Sequence, residues 1–188
     1  MAKRIIVDGE ELQRTVHRLA HEIIEKNGGL EGLVLVGILS RGAVLVRRIA
    51  RKIEALSGRP PSIGIIDVTR YRDDIRKEGE AREPVPMHVP VSVEEKRVVL
   101  VDDVIYTGRT IRAALEHISQ IGKPEKILVA ILVDRGDREL PIKADIVGRN
   151  VQVKDSERVN VLLEELDGLD QVTVTTAVQR GPLYRKGI

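Results

Sequence analysis

A chain of 188 residues, 42% hydrophobic and 32% charged, has the size of one globular domain with its own core. The absence of cysteine excludes disulfides and thiolate chemistry, and the three tyrosines, its only aromatic residues, argue against binding single strands by base stacking. A net charge of +2 means that nucleic-acid binding needs a local basic patch. The first residues are too short for a signal peptide and no stretch could span a membrane, so we expect a cytoplasmic protein.

The chain begins with a short predicted strand at 5–7 and a helix that starts after Asp8. Apolar residues recur at helical spacing, and Asn27-Gly28-Gly29 ends the helix. Its polar face carries a basic stripe with i, i+3, i+4, i+7 spacing, formed by Arg14, His17, Arg18 and His21. Spacing alone favours an ordinary solvated face for this stripe.

A second buried strand is predicted at 33–39, followed by Ser40-Arg41-Gly42 and a helix over 43–56. An arginine beside a glycine in a strand-to-helix turn suits an anion. A third strand is predicted at 63–68. The polar run after it is typical of a functional lid or of a disordered segment, and we place a lid at about 69–86 with a short return strand at 87–91.

The most informative stretch is Val98–Thr110. An apolar strand ends at Asp102 and Asp103, and Thr107-Gly108-Arg109-Thr110 opens the next helix. Ligands of open α/β sheets bind beyond the carboxyl ends of the strands, and the first N–H groups of a helix bind anions. Carboxylates accept hydrogen bonds from a vicinal diol. The stretch therefore predicts a ribose 5-phosphate site.

After the motif helix, a further buried strand is predicted at 127–133, then a polar segment that starts at Asp134. Two closing strands are predicted at 159–163 and 172–178. The last residues, 181–188, are expected to fray.

The stretch Val98–Thr110 resembles the 5-phosphoribosyl-1-pyrophosphate (PRPP) motif of the type I phosphoribosyltransferases. Over most of residues 8–166 the chain resembles one family within them, the PyrR proteins, which are pyrimidine operon regulators and uracil phosphoribosyltransferases. The resemblance is carried by the helix segment Arg18–Ile23, by Tyr71-Arg72-Asp73-Asp74, by Asp102–Thr110 and by the segment Val133–Gly148.

The resemblance implies an α/β fold of the type I phosphoribosyltransferase kind, with a mostly parallel twisted sheet flanked by helices on both faces and a small hood. It implies one domain over 1–180, with the lid at about 69–86, the hood at about 134–158 and a tail at 181–188.

The implied reaction is uracil plus PRPP giving UMP plus pyrophosphate, with Mg²⁺ held largely by substrate and water and possibly by Asp102 or Asp103. The acid pair would bind the ribose hydroxyls, Thr107–Thr110 the 5-phosphate, and Ser40 and Arg41 the pyrophosphate. Asp102, Asp103 and Arg41 are the implied catalytic residues. The full implied set for PRPP and UMP is Ser40, Arg41, Arg72, Asp102, Asp103, Val104, Ile105, Tyr106, Thr107, Gly108, Arg109, Thr110, Val133, Arg135 and Asp137.

The resemblance also implies a partner, a stem-loop of pyrimidine-operon mRNA that is bound when UMP is bound, and a homo-oligomer of dimers or larger assemblies. The implied RNA surface consists of His17, Arg18, His21, Lys26, Arg138, Lys143 and Arg149. The chain departs from the family pattern at His17, Asp137 and Val153-Lys154-Asp155, whereas the PRPP motifs match.

Three alternatives stay open at this point. One is a regulator that keeps its PRPP and UMP sites only as sensors, with little catalysis. Another is a phosphoribosyltransferase for a different base. A generic nucleotide-binding α/β domain is the third, although neither a Gly-x-Gly-x-x-Gly nor a Gly-x-x-x-x-Gly-Lys-Ser/Thr string occurs.

Overall fold

The structure, a computed structural model, describes residues 3–69 and 91–176. Outside these residues lie the predicted tail, Arg72, all of the predicted return strand except Val91, and all of the predicted lid except Thr69. The described elements are β1 (Lys3–Val7), α1 (Gly9–Asn27), β2 (Leu33–Ile38), α2 (Arg41–Ser57), β3 (Ser62–Ile66), β4 (Arg97–Ile105), α3 (Arg109–Ile121), β5 (Lys126–Asp134), β6 (Ile146–Asn150), β7 (Glu157–Leu162), α4 (Glu164–Asp167) and β8 (Gln171–Thr176).

Five parallel strands form the main sheet in the order β3-β2-β4-β5-β6. All of β2 and residues 98–102 of β4 are buried, as their apolar runs predict for strands covered on both faces. Alternate side chains enter two cores. One core, beneath α1 and α2, contains Leu35 and Val99, and the other, beneath α3, contains Val36 and Leu100. The predicted parallel sheet with helices on both faces is confirmed.

A second, antiparallel sheet of three strands joins the two ends of the chain in the order β1-β8-β7. Val161, Leu163 and Val172 connect it to the core beneath α1 and α2. The strands predicted near 5–7, 159–163 and 172–178 correspond to these three, within the described residues. The segment 163–170 between β7 and β8 contains α4 and carries the carboxylates that reach α2.

Two elements differ from the sequence-based expectation. The strand β4 continues to Ile105, past Asp102 and Asp103, because its pairing with β5 is maintained as far as Ile105 and Asp134. The strand β6 lies within the segment predicted as hood, yet it pairs with β5 and completes the main sheet. Among the helices of the described residues, none is long and apolar enough to cross a membrane.

Candidate active site

Two strand-to-helix turns meet at the carboxyl edge of the main sheet. One follows β2 and precedes α2, and the other follows β4 and precedes α3. Because β2 and β4 are adjacent parallel strands, these turns are neighbours, and the end of β5 lies beside the second of them. The ligand crevice expected for an open parallel sheet is therefore at this edge.

Two glycines allow the first turn to pack directly against the acid pair. A Cβ atom on Gly42 would lie 2.4 Å from the Val101 carbonyl oxygen and 3.4 Å from Asp102 Oδ1. A Cβ atom on Gly37 would lie 2.5 Å from the Gly42 carbonyl oxygen. Any larger residue would separate the α2 N-terminus from Asp102, so these glycines bring the two predicted anion-binding turns together.

The helix N-termini at this edge differ from that of α1. In α1, Asp8 caps the helix by accepting a hydrogen bond from Glu11 N at 2.8 Å, and acidic residues occupy the first turn. Neither α2, which follows Ser40, nor α3, which follows Gly108, has a side-chain cap or an acidic residue in its first turn. Apart from Arg109 N, which donates to Thr107 Oγ1 at 3.4 Å, their first N–H groups and their dipoles are left for anions.

The carboxylates of Asp102 and Asp103 lie between these two helix ends. Asp102 is 7% exposed, and its Oδ1 accepts a hydrogen bond from Asp103 N at 2.9 Å. Burial raises the pKa of the Asp103 carboxyl, and the rise is opposed by its hydrogen bond with the Asp102 side chain and by the positive charge of Arg41. The pair offers oxygen acceptors in a weakly solvated place, as the diol prediction requires.

Arg41 extends from the first turn to the second sheet. Its Nε donates to the Val161 carbonyl oxygen at 2.6 Å, and its Nη2 contacts the Asp167 carboxylate oxygens at 3.0 and 3.1 Å. Ser40 precedes it, is exposed and makes no side-chain cap. The two predicted pyrophosphate residues therefore lie at the site, and Arg41 is oriented by residues that no local sequence signal indicates.

The predicted 5-phosphate loop is held by the segment 134–142. The Thr107 carbonyl oxygen accepts hydrogen bonds from the N–H groups of Glu139 and Leu140, each at 3.1 Å. Arg109 forms an ion pair with Glu139 at 2.6 Å. Gly108 has φ +92°, and a Cβ atom there would lie 3.4 Å from the Ile142 side chain. The loop geometry thus depends on this segment as well as on the motif itself.

Arg135 is a buried cation with unpaired donors. It is 8% exposed, and its guanidinium lies 3.8 Å from the centroid of the Tyr106 ring, while its main-chain N–H donates to the Ile105 carbonyl oxygen. Within the described residues, its Nε and Nη2 have no hydrogen-bond partner. It borders an open pocket of about 480 Å³ whose lining also includes Asn150 and Gln152. A buried guanidinium with unsatisfied edges indicates an acceptor supplied by a ligand.

The remaining predicted substrate residues occupy different surroundings. Thr110 lies half-buried in the first turn of α3, and Val104 is half-buried against the core beneath α1 and α2. The side chains of Ile105 and Val133 are in the two cores, so only their main-chain atoms can reach a ligand. Asp137 is exposed, with φ +53°.

Most of the predicted RNA residues form one surface where α1 packs beside β6. His17 Nε2 and His21 Nε2 lie 3.1 Å apart, and Arg18 donates to the carbonyl oxygens of Val147 and Gly148. Arg149 pairs with Glu11. Two further members of the set, Lys26 and Lys143, are exposed.

Arg138 is the exception in the RNA set. All three of its nitrogens donate inside the protein, Nε to the Ile142 carbonyl oxygen, Nη1 to those of Tyr106 and Gly136, and Nη2 to Asp134. It therefore connects the 5-phosphate loop to the segment 134–142.

The chain matches the family model described as phosphoribosyl transferase domain over residues 4–165. It is also similar to solved hypoxanthine phosphoribosyltransferases. That of Trypanosoma cruzi has a TM-score of 0.70 at 21% identity, covering 91% of this chain and 90% of that one. That of Staphylococcus aureus has a TM-score of 0.66 at 22% identity, covering 94% and 93%. The fold and the site thus define a phosphoribosyltransferase.

Curated relatives narrow the class. The bifunctional protein PyrR of Bacillus subtilis is 45% identical over 174 residues, covering 92% of this chain and 96% of the relative. That of Chloroflexus aurantiacus is 50% identical over 169 residues, covering 90% and 93%. The chain belongs to the bifunctional PyrR family, and the family and fold class predicted from its motifs are confirmed.

Proposed function

We propose that this protein transfers the 5-phosphoribosyl group of PRPP to uracil, giving UMP and pyrophosphate, and binds pyrimidine-operon mRNA when UMP is bound. One observation carries the catalytic half of the proposal. Two helix N-termini, neither with a side-chain cap from its N-cap residue, flank an acid pair at the carboxyl edge of the sheet, in which Asp102 is buried and Asp103 half-buried. This arrangement matches a ligand with two anionic ends joined by a diol.

In the proposed complex, Thr107–Thr110 bind the 5-phosphate, and Asp102 and Asp103 bind the ribose hydroxyls. Ser40 and Arg41 bind the pyrophosphate. As the bond from C1 to the pyrophosphate oxygen breaks, uracil N1 forms its bond to C1, and the N1 proton passes to the departing pyrophosphate. The protein supplies no nucleophile, and alignment of the two reactants can account for about 7–11 kcal/mol of the barrier.

The acid pair could contribute ligands to Mg²⁺ but could not hold the ion alone. The acid pair provides the hard oxygen donors that Mg²⁺ prefers, whereas the described residues contain no group of three or more metal-binding side chains. We therefore infer that the ion is held mainly by substrate and water, with Asp102 or Asp103 contributing. When bound, the ion neutralises charge on the leaving pyrophosphate.

We assign the base to the region of Val133, Arg135 and Asp137. The unpaired donors of Arg135 would be satisfied by a carbonyl oxygen of uracil, and the buried positive charge would stabilise the ring as N1 loses its proton. Main-chain groups at the end of β5 would contact the remaining polar atoms of the base. Arg72, outside the described residues, is retained as a proposed charge partner of PRPP.

We place RNA on the surface formed by His17, Arg18, His21, Lys26, Lys143 and Arg149. The four cationic side chains among them would contact phosphate, and specificity would come from unpaired bases and 2′-hydroxyls of the loop. Arg138 would connect this surface to the nucleotide site. We expect the protein to act in the cytoplasm as a homo-oligomer.

The decisive experiment measures UMP formation from uracil and PRPP with Mg²⁺, in the unmodified protein and in an Asp102→Asn/Asp103→Asn variant. The amides keep the shape of the side chains but remove their charge. We expect turnover in the first and a loss of about a thousandfold or more in the second, since both ribose contacts are weakened. Turnover with hypoxanthine instead of uracil would contradict the base assignment. PRPP binding without any turnover would contradict the catalytic proposal and favour a regulator that uses the site only to sense PRPP and UMP.

A further inference from the structure

Two arginines of α2 hold the segment 163–170 in place. Arg41 and Arg48 are seven residues apart, so they project from the same face of the helix. Arg48 contacts Glu165 and Asp170, and Arg41 contacts Asp167. One segment of the second sheet is therefore joined twice to the helix whose N-terminus forms the proposed pyrophosphate site.

The carboxylate of Asp167, which binds Arg41, is also held by a hydrogen bond from the main chain of Leu163. Its Oδ2 accepts a hydrogen bond from Leu163 N at 2.9 Å, and Asp167 N donates to the Leu163 carbonyl oxygen at 2.7 Å. This tight turn gives the carboxylate one orientation. The Val161 carbonyl oxygen lies 2.6 Å from Arg41 Nε, so one edge of the guanidinium is bound by two acceptors, this carbonyl and the Asp167 carboxylate.

The other edge of the guanidinium, which carries Nη1, is available for a ligand. An arginine has five N–H donors, and the contacts with Val161 and Asp167 use Nε and Nη2. Within the part of the chain that the structure describes, Arg41 Nη1 contacts no acceptor. Arg41 also lies close enough to Asp103 for its charge to act on that carboxylate. The Nη1 donors therefore remain available to a ligand at the edge where α2 begins.

We propose that Asp167 is a positioning residue for pyrophosphate transfer, which holds Arg41 so that its Nη1 edge faces the pyrophosphate of PRPP. This inference rests on the proposed phosphoribosyl transfer. A long arginine side chain normally loses rotamer freedom when it binds an anion. Because Asp167 and Val161 already restrict Arg41 in the free protein, binding costs less conformational entropy, and the affinity for PRPP is higher.

The same segment offers a matched control. Glu165 is two residues from Asp167, and it binds Arg48 of the same helix without contacting Arg41. Changing either acid to its amide removes one charged contact between α2 and the segment 163–170. Only the change at Asp167 releases Arg41, so a general loosening of the segment and a loss of positioning have different kinetic signatures.

The test compares Asp167→Asn with Glu165→Gln in steady-state assays of UMP synthesis and of the reverse reaction with pyrophosphate. For Asp167→Asn we expect KM for PRPP and for pyrophosphate to rise about tenfold, while KM for uracil changes by less than about twofold. Glu165→Gln should leave all three constants within about twofold. Asp167→Glu, which keeps the charge, should recover part of the affinity.

Three outcomes would overturn the proposal. In the first, Glu165→Gln raises KM for PRPP as much as Asp167→Asn does, which indicates a structural role alone. In the second, Asp167→Asn leaves KM for PRPP unchanged. In the third, KM falls, which makes Asp167 a competitor of the substrate for Arg41.

Calorimetric titration with pyrophosphate and Mg²⁺ separates this inference from the proposed function, because it requires no turnover. If the unmodified protein makes no UMP, the proposed function fails. A tenfold weaker pyrophosphate affinity in Asp167→Asn would still support the positioning role, and an unchanged affinity would reject it.

Discussion

At the scale of single residues, Arg135 shows how a binding site is maintained at the expense of stability. Its guanidinium is 8% exposed, and two of its nitrogens have no hydrogen-bond partner among residues 3–69 and 91–176. The resulting desolvation cost is offset only in part by the contact with the Tyr106 ring. Such a group is retained when a ligand completes its hydrogen bonds.

We therefore predict opposite effects of Arg135→Met on binding and on stability. The variant should raise KM for uracil about tenfold or more, because a carbonyl oxygen of the base loses its charged donor. The free energy of unfolding should stay the same or rise, since an unpaired buried charge is replaced by an apolar side chain of similar length. Uracil titrations in the UMP assay and urea denaturation measure the two effects.

Tyr106→Phe is the control for this prediction, because it keeps the ring that faces the guanidinium. It should leave the uracil KM within about threefold. A clear loss of stability in Arg135→Met, with an unchanged uracil KM, would show that the arginine serves the fold and not the base.

At the scale of elements, the joint between α2 and the segment 163–170 responds to pH. Hydrogen bonds from Arg48 lower the pKa of the Glu165 carboxyl. Burial would raise the pKa of Asp170, but hydrogen bonds from Arg48 and from Glu164 N outweigh this effect and lower it. Carboxyls with lowered pKa values stabilise the fold above their ordinary values of 4.5 and 3.8, and the contribution is lost as pH falls through the lowered values.

Removing Arg48 should expose this dependence. We predict that Arg48→Met destabilises the protein by about 2 kcal/mol at pH 7, less than for a fully buried ion pair because Glu165 is 43% exposed. The difference in the free energy of unfolding between the variant and the unmodified protein should shrink below pH 4, where Glu165 and Asp170 become protonated in the variant. Urea denaturation at pH 7, 5 and 3 tests this, and a difference that is constant with pH would contradict it.

The sequence was sufficient for elements whose own residues determine their state. Long apolar runs predicted β2, β4 and β5, and the acid pair with its Thr-Gly-x-Thr loop predicted the edge at which α3 begins. The strand β6 has a mixed composition, with Gly148, Arg149 and Asn150 among its five residues, and it is a strand because it pairs with β5. Its state depends on a neighbour that no local pattern shows.

The candidate site follows the same division. The motifs predicted which turns bind anions, because the binding groups are local to each turn. The contact of Arg41 with Asp167 joins residues 126 apart in the chain, and Arg135, which follows β5, meets Tyr106, which follows β4. Such pairs result from the packing of two sheets and several turns, so spacing along the chain does not reveal them.

At the scale of the whole molecule, the segment 134–142 connects the two activities proposed for the protein. On one side it holds the 5-phosphate loop through the ion pair of Glu139 with Arg109 and through Arg138, which donates to the Tyr106 carbonyl oxygen at 2.9 Å. On the other side it leads to Lys143 and to β6, which packs against α1. A Cβ atom on Gly148 would lie 2.7 Å from Thr15 Cγ2, so this packing is close. A change at the phosphate loop therefore has a continuous protein path to the proposed RNA surface.

This path predicts that Glu139→Gln weakens the coupling between UMP and RNA. Coupling between two ligands is reciprocal and typically amounts to a factor between about 5 and 150, so UMP should raise RNA affinity by the same factor by which RNA raises UMP affinity. In Glu139→Gln both factors should fall together, because the 5-phosphate loop is no longer tied by charge to the segment. RNA affinity without UMP should remain, since Glu139 lies outside the proposed RNA surface.

Glu125→Gln is the matched control, because its ion pair with Arg97 lies at the opposite edge of the sheet. Titration of the operon stem-loop with and without UMP measures the coupling, and an undiminished factor in Glu139→Gln would show that the signal takes another path.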